Sequence, residues 1–487
     1  MRLIGYAPDI DPTIEGVITE CSAFVPSERG MKGAPSSVDL GGAALAAECH
    51  GAVTLRRLDD SFRTIAGTTT KLYEQSGATW TDVSRSAGGA YACGVDSAWR
   101  FAQFGDTLLA VNKTDTLQAS TTGLFANVTG APKADIIETV GNHVVLANTN
   151  EATYGDSPNR WWVSAIRDYT DWTPSINTEC ATNTLVSTSG RIFAAKRFGE
   201  QVVFYKERSM YIGTFVGAPL VLDVQQIAGD AGCSSQEAVV NVGTADNPVH
   251  IFMGADDFWR FDGARPVPLG SPLRKTIYAE LNGTYAYKIK TLHDRINSRI
   301  YFYYPSNAGG GVLDKCVVYH YRTNVWGRDD RTIEAGIELL TNGITYDTLD
   351  TLYPTYDSLP TNISYDSPFW TSGTRRVAFF NTAHKAYSLD GVATSSSFTT
   401  GDFGDDTNYY LLSRVKPIWL TKPTTATLVN YYKNNEGDTL TTGTTTAISG
   451  SRFDLLRSAR WHRLQFNMTG DNEVSTINAE YTQDGME

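Results

Sequence analysis

Asp257-Phe258-Trp259-Arg260-Phe261-Asp262-Gly263 is the stretch on which the fold turns: an aromatic-rich strand that runs into an Asp-Gly pair. The phrase returns with other letters. Lys71-Leu72-Tyr73-Glu74-Gln75-Ser76-Gly77 and Lys385-Ala386-Tyr387-Ser388-Leu389-Asp390-Gly391 are further copies, and Ser209-Met210-Tyr211-Ile212-Gly213 is a looser one. Asp-Gly favours a tight hairpin, because the type I′ turn needs positive φ at both central residues. A strand-turn-strand unit recurring at intervals of tens of residues predicts a repeat architecture, and in an all-β chain that is a β-propeller.

Seven strand modules extend outward from these phrases. Gly67 separates 62–65 from 70–74, Gly105-Asp106 joins 99–104 to 108–112, Gly141-Asn142 joins 134–140 to 144–147, and Gly199-Glu200 joins 191–198 to 202–205. Residues 249–253 precede the first phrase, 299–304 face 316–321 across a Gly-rich loop, and 376–380 precede the copy ending at Gly391. The first and last modules of a propeller often share a blade, so six and seven blades both satisfy this pattern. Residues 1–50 form an extended segment whose prolines and glycines block a long helix, so it must pack on other elements to be ordered. The propeller spans 51–397, and 398–487 form a separate β-rich platform module. Strands are expected there at 415–420, 428–433, 461–468 and 477–481, with a Thr-rich connector at 439–447. Within the propeller, Tyr346-Asp347, Tyr356-Asp357 and Tyr365-Asp366 recur among prolines over 344–370. That segment reads as a projecting loop, the candidate gate or partner surface.

Composition narrows the function. Aromatics at 11%, with 25 Tyr and 10 Trp beside 43 Gly, suit strands and tight turns. A net charge of −12 argues against a surface that grips phosphates throughout, since nucleic-acid binding is driven by Lys and Arg. The residues from Met1 to Pro8 lack the apolar core of a signal peptide. No apolar run approaches the roughly 20 residues of a membrane span. The six cysteines are scattered and read as reduced, buried side chains of a cytosol-made protein.

The chemistry-bearing motifs are missing. There is no phosphate loop, no H-E-x-x-H and no G-x-S-x-G, and the seven histidines stand singly. No catalytic, cofactor-binding or metal-ligating residue is therefore assigned, and the chain is read as a non-enzyme. Asp402-Phe403-Gly404-Asp405-Asp406 has the oxygen donors of a calcium loop but not its spacing, and turn formation explains it better. Ser76-Gly77-Ala78-Thr79-Trp80 resembles the end of a sialidase Asp-box without its Asp. Trp161, Trp162, Trp172 and Trp326 could stack on sugars or pack between blades. A carbohydrate-binding or glycan-cleaving propeller, as in a receptor-binding protein, is thus the alternative function.

Four phrases, taken in order, resemble the nozzle (tail-tube, packaged-DNA-stabilisation) proteins of short-tailed bacteriophages. They are Asp9-Ile10-Asp11-Pro12-Thr13 with Gly16-Val17 and the stretch from Phe24 to Ser36; Ala131-Pro132-Lys133-Ala134 with Trp162-Val163-Ser164-Ala165 and Asp168-Tyr169-Thr170-Asp171-Trp172; the Tyr-Asp series with Phe369-Trp370; and Gly404-Asp405-Asp406 with Arg460-Trp461-His462-Arg463-Leu464. Ala459-Arg460 stands where the family pattern has Gly-Arg. The resemblance implies a six-bladed propeller with a β-platform, assembled as a hexameric ring below the portal and its adaptor ring. It implies a virion protein, assembled in the bacterial cytoplasm, that retains packaged double-stranded DNA, conducts it on ejection and carries tail fibres or spikes. It implies no catalytic residues and no cofactor. Six copies would multiply a charge of −12 sixfold, and acidic walls repel phosphates.

Replacing Asp262 and Gly263 together with Val is expected to lower thermal stability, because a β-branched residue resists positive φ. An unchanged unfolding midpoint in calorimetry would remove the turn assignment.

Overall fold

The computed structural model describes residues 1–340, 349, 353, 355–359, 375–435 and 437–486. Among them, six four-stranded antiparallel sheets stand as discrete blades: 51–82, 100–127, 133–184, 194–227, 239–268, and 335–391 with the strand Ser36–Asp39. A seventh position, 290–328, is filled by the first four strands of a nine-stranded sheet. The innermost strands lie against one another around a closed circle, from Gly51–Arg56 through Arg100–Phe104, Lys133–Val140, Ala194–Phe198, Val239–Asn241, Lys290–Asp294 and Ala335–Leu339 back to Gly51–Arg56. Of the two blade counts open in the sequence, six describes the freestanding sheets and seven the positions around the ring. Blades are numbered here one to seven in that order. No helix among the described residues is long and apolar enough to cross a membrane.

The recurring phrase is one element of the blade. Its four copies lie in Leu72–Ser76, Met210–Gly217, Phe258–Phe261 and Ala386–Gly391, each the third strand of its blade. The accompanying turn is less uniform than the sequence suggests. Only the first copy closes a two-residue turn, Ser76 pairing with Thr79. After Phe261 the chain makes a longer connection, in which Gly263 takes φ +103°, and Asp390-Gly391 lies inside a strand at a bulge. The hairpins joining first to second strands do follow the Gly-led turns, with Phe104 opposite Thr107, Val140 opposite His143 and Phe198 opposite Gln201.

Ring closure falls to the N-terminal segment. Ser36–Asp39 adds the outer strand of blade seven, Val38 facing Ser388 and Asp39 facing Tyr387. Before that, the hairpin of Phe24–Pro26 and Met31–Gly33 bridges Val325–Arg328 of blade six to Glu473–Met486, followed by Asn408–Thr421 and Phe453–Ala459. A second sheet runs in the order Gly5–Tyr6, Val17–Ser22, Ser395–Thr400, Trp461–Thr469, Thr425–Lys433, Thr441–Ala447, with Phe403–Gly404 paired to Trp461–Thr469. Residues 439–447 are therefore largely strand, not connector. Thr441–Ala447 pairs with Thr425–Lys433 at the edge of that sheet, where β-branched side chains fit the pleat.

Trp461–Thr469 shows the logic of the platform: His462, Leu464, Phe466 and Met468 point inward and alternate with outward residues. Phe398 stacks on Phe24 at 4.8 Å and on Phe466 at 4.7 Å, tying the two sheets together. The same apolar cluster continues into Phe258, Phe302 and Trp326 of blades five and six.

Val38 is 4% exposed in the ring-closing strand. Val38→Asp, which buries a carboxylate there, is expected to cost about 3 kcal/mol or more and to lower the denaturant midpoint. A midpoint equal to that of the unsubstituted chain would show that this strand does not hold the ring.

Candidate functional site

Of the six residues marked by the Tyr-Asp repeat, Tyr346, Asp347, Tyr365 and Asp366 lie outside the described residues. Tyr356 and Asp357 begin a single 3-10 turn, Tyr356–Ser358, in which Asp357 is exposed. The segment is inserted between the first and second strands of blade seven.

The other phrases are placed as joints. The Asp9 carboxylate accepts from Thr276 N at 3.0 Å, at the start of the short helix Arg274–Glu280. Pro12 O accepts from Asp402 N at 2.7 Å, and Val17 O accepts from Gly401 N at 2.9 Å, so the first and last phrases meet. Asp402 in turn receives Arg463 Nε at 2.6 Å and Lys433 Nζ at 3.1 Å, while Asp406 accepts from Trp461 Nε1 at 2.6 Å. Asp405 caps its own turn through Thr407, Asn408 and Tyr410, and these bonds hold its carboxyl well below the usual range. Each of these three acids is used by a neighbour. Among the described residues, no group of three or more His, Cys, Asp or Glu is placed to hold a metal ion. In blade three, Trp172 Nε1 donates to Tyr169 O at 2.8 Å and Asp168 accepts from Thr170 N. Trp161, Trp162, Trp172 and Trp326 are all buried, and none offers a face to a sugar ring.

What the sequence did not reveal lies on the propeller axis. Arg100 opens the innermost strand of blade two, with a side chain only 9% exposed. Its guanidinium pairs with Asp135 of blade three. It also reaches Glu237 before blade five, donating from Nε to Oε1 at 2.9 Å and from Nη2 to Oε2 at 3.3 Å. Ser235 fixes Glu237 by capping the 3-10 turn Gln236–Ala238 and accepting from Glu237 N at 3.1 Å.

Polar ties continue round the circle. Gln236 bonds Ala195 N and O of blade four at 2.7 and 2.8 Å, Thr291 Oγ1 of blade six donates to Glu237 O at 2.6 Å, and Lys290 Nζ donates to Glu334 O at 2.9 Å. Glu334 accepts from Cys49 N at 3.0 Å, ahead of blade one. Burial alone would raise the Glu237 carboxyl, but Arg100 and nearby lysines bring it down to about 2.

This belt separates two cavities. A funnel of 680 Å³ opens on the face where the innermost strands begin, and a 160 Å³ cavity lies along those strands. His50, Arg100, Glu237 and Lys290 line both. The ion triad thus links blades two and three to the turn ahead of blade five between the two cavities. Arg100 is separated from Asp135 by 35 residues and from Glu237 by 137, so no local motif betrays the triad. Of the three, only Arg100 heads a strand; Asp135 is the third residue of Lys133–Val140 and Glu237 lies in the 3-10 turn Gln236–Ala238.

No known protein family matches this chain, and no curated protein matches it. Among solved structures, the chain is similar to YCF48 bound to D1 peptide, with 11% identity over 75% of this chain and 97% of that one and a TM-score of 0.38. It is similar to the Pan2 WD40 domain of Neurospora crassa, with 8% identity over 73% and 95% and a TM-score of 0.39. Human WBSCR16 is similar over 60% and 85% of the two chains, at 8% identity and a TM-score of 0.35. The chain is a β-propeller protein with a β-platform.

Arg100→Met is expected to cost about 3–5 kcal/mol at pH 7, because it strands two carboxylates without their cation. A folded-state pKa below the ordinary 4.5 means that Glu237 stabilises fully above pH 4.5 and ceases to do so as pH falls to about 2. The stability gap between Arg100→Met and the unsubstituted chain in urea titrations should narrow across that window. A gap independent of pH would show that the pairing is not what Arg100 contributes.

Proposed function

We propose that this chain is a structural, non-enzymatic subunit of a short-tailed bacteriophage tail, a nozzle-type protein whose copies form a sixfold ring. The observation that carries the reading is the seam between propeller and platform. Blade six runs into the platform through continuous backbone pairing, and the first and last of the phrases that resemble the nozzle family lie at that joint. A subunit that must transmit load between neighbours needs such a rigid connection. On this reading the conduit would run between copies, where a net charge of −12 per subunit would keep phosphates from adhering. The ring would dock below the portal on its adaptor ring, hold double-stranded DNA without reading its sequence, and carry fibres or spikes. The insertion at 344–370, on blade seven, is the element we assign to the gate or to a partner.

Negative-stain electron microscopy of the purified chain at high protein concentration is expected to show rings with a central hole. Isolated discs at every concentration, together with saturable binding on a glycan array, would overturn the reading in favour of a carbohydrate-binding propeller.

A further inference from the structure

Once the belt's own bonds are counted, the axial funnel keeps bonding capacity of both kinds, donor and acceptor. Its lining holds six carboxylates against five cations. Nearly all of them engage one another: Arg100 with Asp135 and Glu237, Lys113 with Asp156 at 2.7 Å, and Lys288 with Asp96 at 3.1 Å. Glu334 is held by His384 at 2.6 Å. Left over near solvent are one acid, Glu48, and one base, Arg191, both exposed and without an ion-pair partner among the described residues. A lining so evenly balanced favours an ion of neither sign.

The floor is balanced in the same way. Lys290 donates to Glu334 O at 2.9 Å and keeps two N–H groups without a protein acceptor among the described residues. His50, 5% exposed, has Nδ1 3.0 Å from Ser97 O. A carbonyl only accepts, so Nδ1 carries the hydrogen and Nε2 is an acceptor. That nitrogen is buried and has no partner. An unmet buried donor or acceptor costs free energy, and a hydroxyl is the group that can serve both at once. Water would do so too, but the walls offer surface that water does not use. Phe193 and Tyr287 are half-buried in the lining, the Tyr287 ring being held through its hydroxyl by Asp96. Val95 and Val312, 70% and 45% exposed, stand at the lip. Covering such surface is favourable only for a ligand with an apolar face.

We infer that the axial funnel is a binding site for an uncharged saccharide, whose hydroxyl edges meet the floor and whose C–H face lies on the aromatic wall. One hydroxyl accepts from Lys290 Nζ and donates to His50 Nε2. Hydroxyls nearer solvent donate to Glu48 and accept from Arg191. A volume of 680 Å³ falls within the range of pockets that enclose a compact ligand. The inference stands apart from the tail-ring reading, since it concerns what one protomer binds, and a ring of sugar-binding subunits satisfies both.

The test is an array of neutral and anionic oligosaccharides probed with the full chain, followed by calorimetry on the strongest neutral binder. Neutral glycans are expected to bind saturably. Their dissociation constant should change by less than about twofold from roughly 0.05 to 0.5 M sodium chloride, because no ion pair forms with the ligand. Glu48→Ala, Arg191→Ala and Lys290→Met should each weaken binding by about tenfold or more, and Lys422→Ala, on the platform, should leave it unchanged. Glu48 and Arg191 are at the surface, so their variants carry the test if Lys290→Met does not fold. The absence of any bound glycan would overturn the proposal and mark the funnel as holding water alone. Binding confined to anionic glycans, a tenfold loss in salt, indifference to both Glu48→Ala and Arg191→Ala, or an equal loss in Lys422→Ala would each overturn it as well. Neutral-glycan binding by particles that electron microscopy shows only as isolated discs would uphold it while the tail-ring reading fails.

Discussion

The architecture depends on one run of backbone hydrogen bonding, which leaves blade six, crosses the hairpin at 24–33 and continues into Glu473–Met486. Sheet hydrogen bonds need neighbouring strands about 4.8 Å apart, and the seam meets that requirement by omitting side chains. A Cβ on Gly327 would lie 2.6 Å from Phe24 O, and one on Gly30 would lie 2.3 Å from Val474 O. Any larger residue at either place would push the hairpin off the blade or off the platform. With the hairpin in place, Ser27 Oγ reaches Glu473 at 2.8 Å and Arg299 Nε reaches Pro26 O at 2.7 Å. The ring-closing strand Ser36–Asp39 follows three residues after the hairpin, so the join and the closure are held by one short stretch of chain.

The belt on the axis meets a different constraint. Seven strand edges converge where side chains cannot interdigitate as they do between blades, and the space left over is lined by polar groups. Buried ion pairs are weak sources of net stability, because desolvation offsets much of their attraction. Their geometric demand is strict, however. Arg100 satisfies its donors only if blades two, three and five hold their positions, and Gln236 ties blade four to the same turn. The belt therefore fixes the blades' relative placement more than it adds to the free energy of folding. It also leaves Lys290 and His50 at the boundary between the two cavities with unused bonding capacity.

Local features of the fold were legible in the sequence and distant ones were not. Gly105-Asp106, Gly141-Asn142 and Gly199-Glu200 announced their hairpins because positive φ at a two-residue turn is a strong local demand. The aromatic third strand was legible because the phrase itself recurs, at 71–77, 257–263 and 385–391. Asp262-Gly263 and Asp390-Gly391 misled as tight turns, since the same dipeptide serves a longer loop and a bulge. Thr441–Ala447 was missed because an edge strand largely exposed on both faces lacks the apolar alternation that marks a core strand. In the strand Ala194–Phe198, Ala194 and Ala195 are both buried, because a blade is packed on both faces. The axial site depends wholly on tertiary placement. The Tyr-Asp repeat, conspicuous in sequence, places only Tyr356 and Asp357 within the described residues.

The N-terminal stitching sets an order of events during synthesis. Thr19 bonds to the backbone of Thr399, 380 residues further along, and Ser27 bonds to Glu473, 446 residues on. At roughly 5–20 residues per second the ribosome takes on the order of tens of seconds to make up that separation. Through this interval Val17, Ile18, Phe24 and Val25, all fully buried at the end, have only their local partners Gly5–Tyr6 and Met31–Gly33 and not the distant sheets that cover them. Blades one to five can pair internally as they emerge, but Ser36–Asp39 waits for 335–391 before it can complete blade seven, and the platform lacks its core until the last fifth of the chain is made. Commitment to the finished shape thus comes late and all at once, and until then the waiting segment is a natural substrate for chaperones.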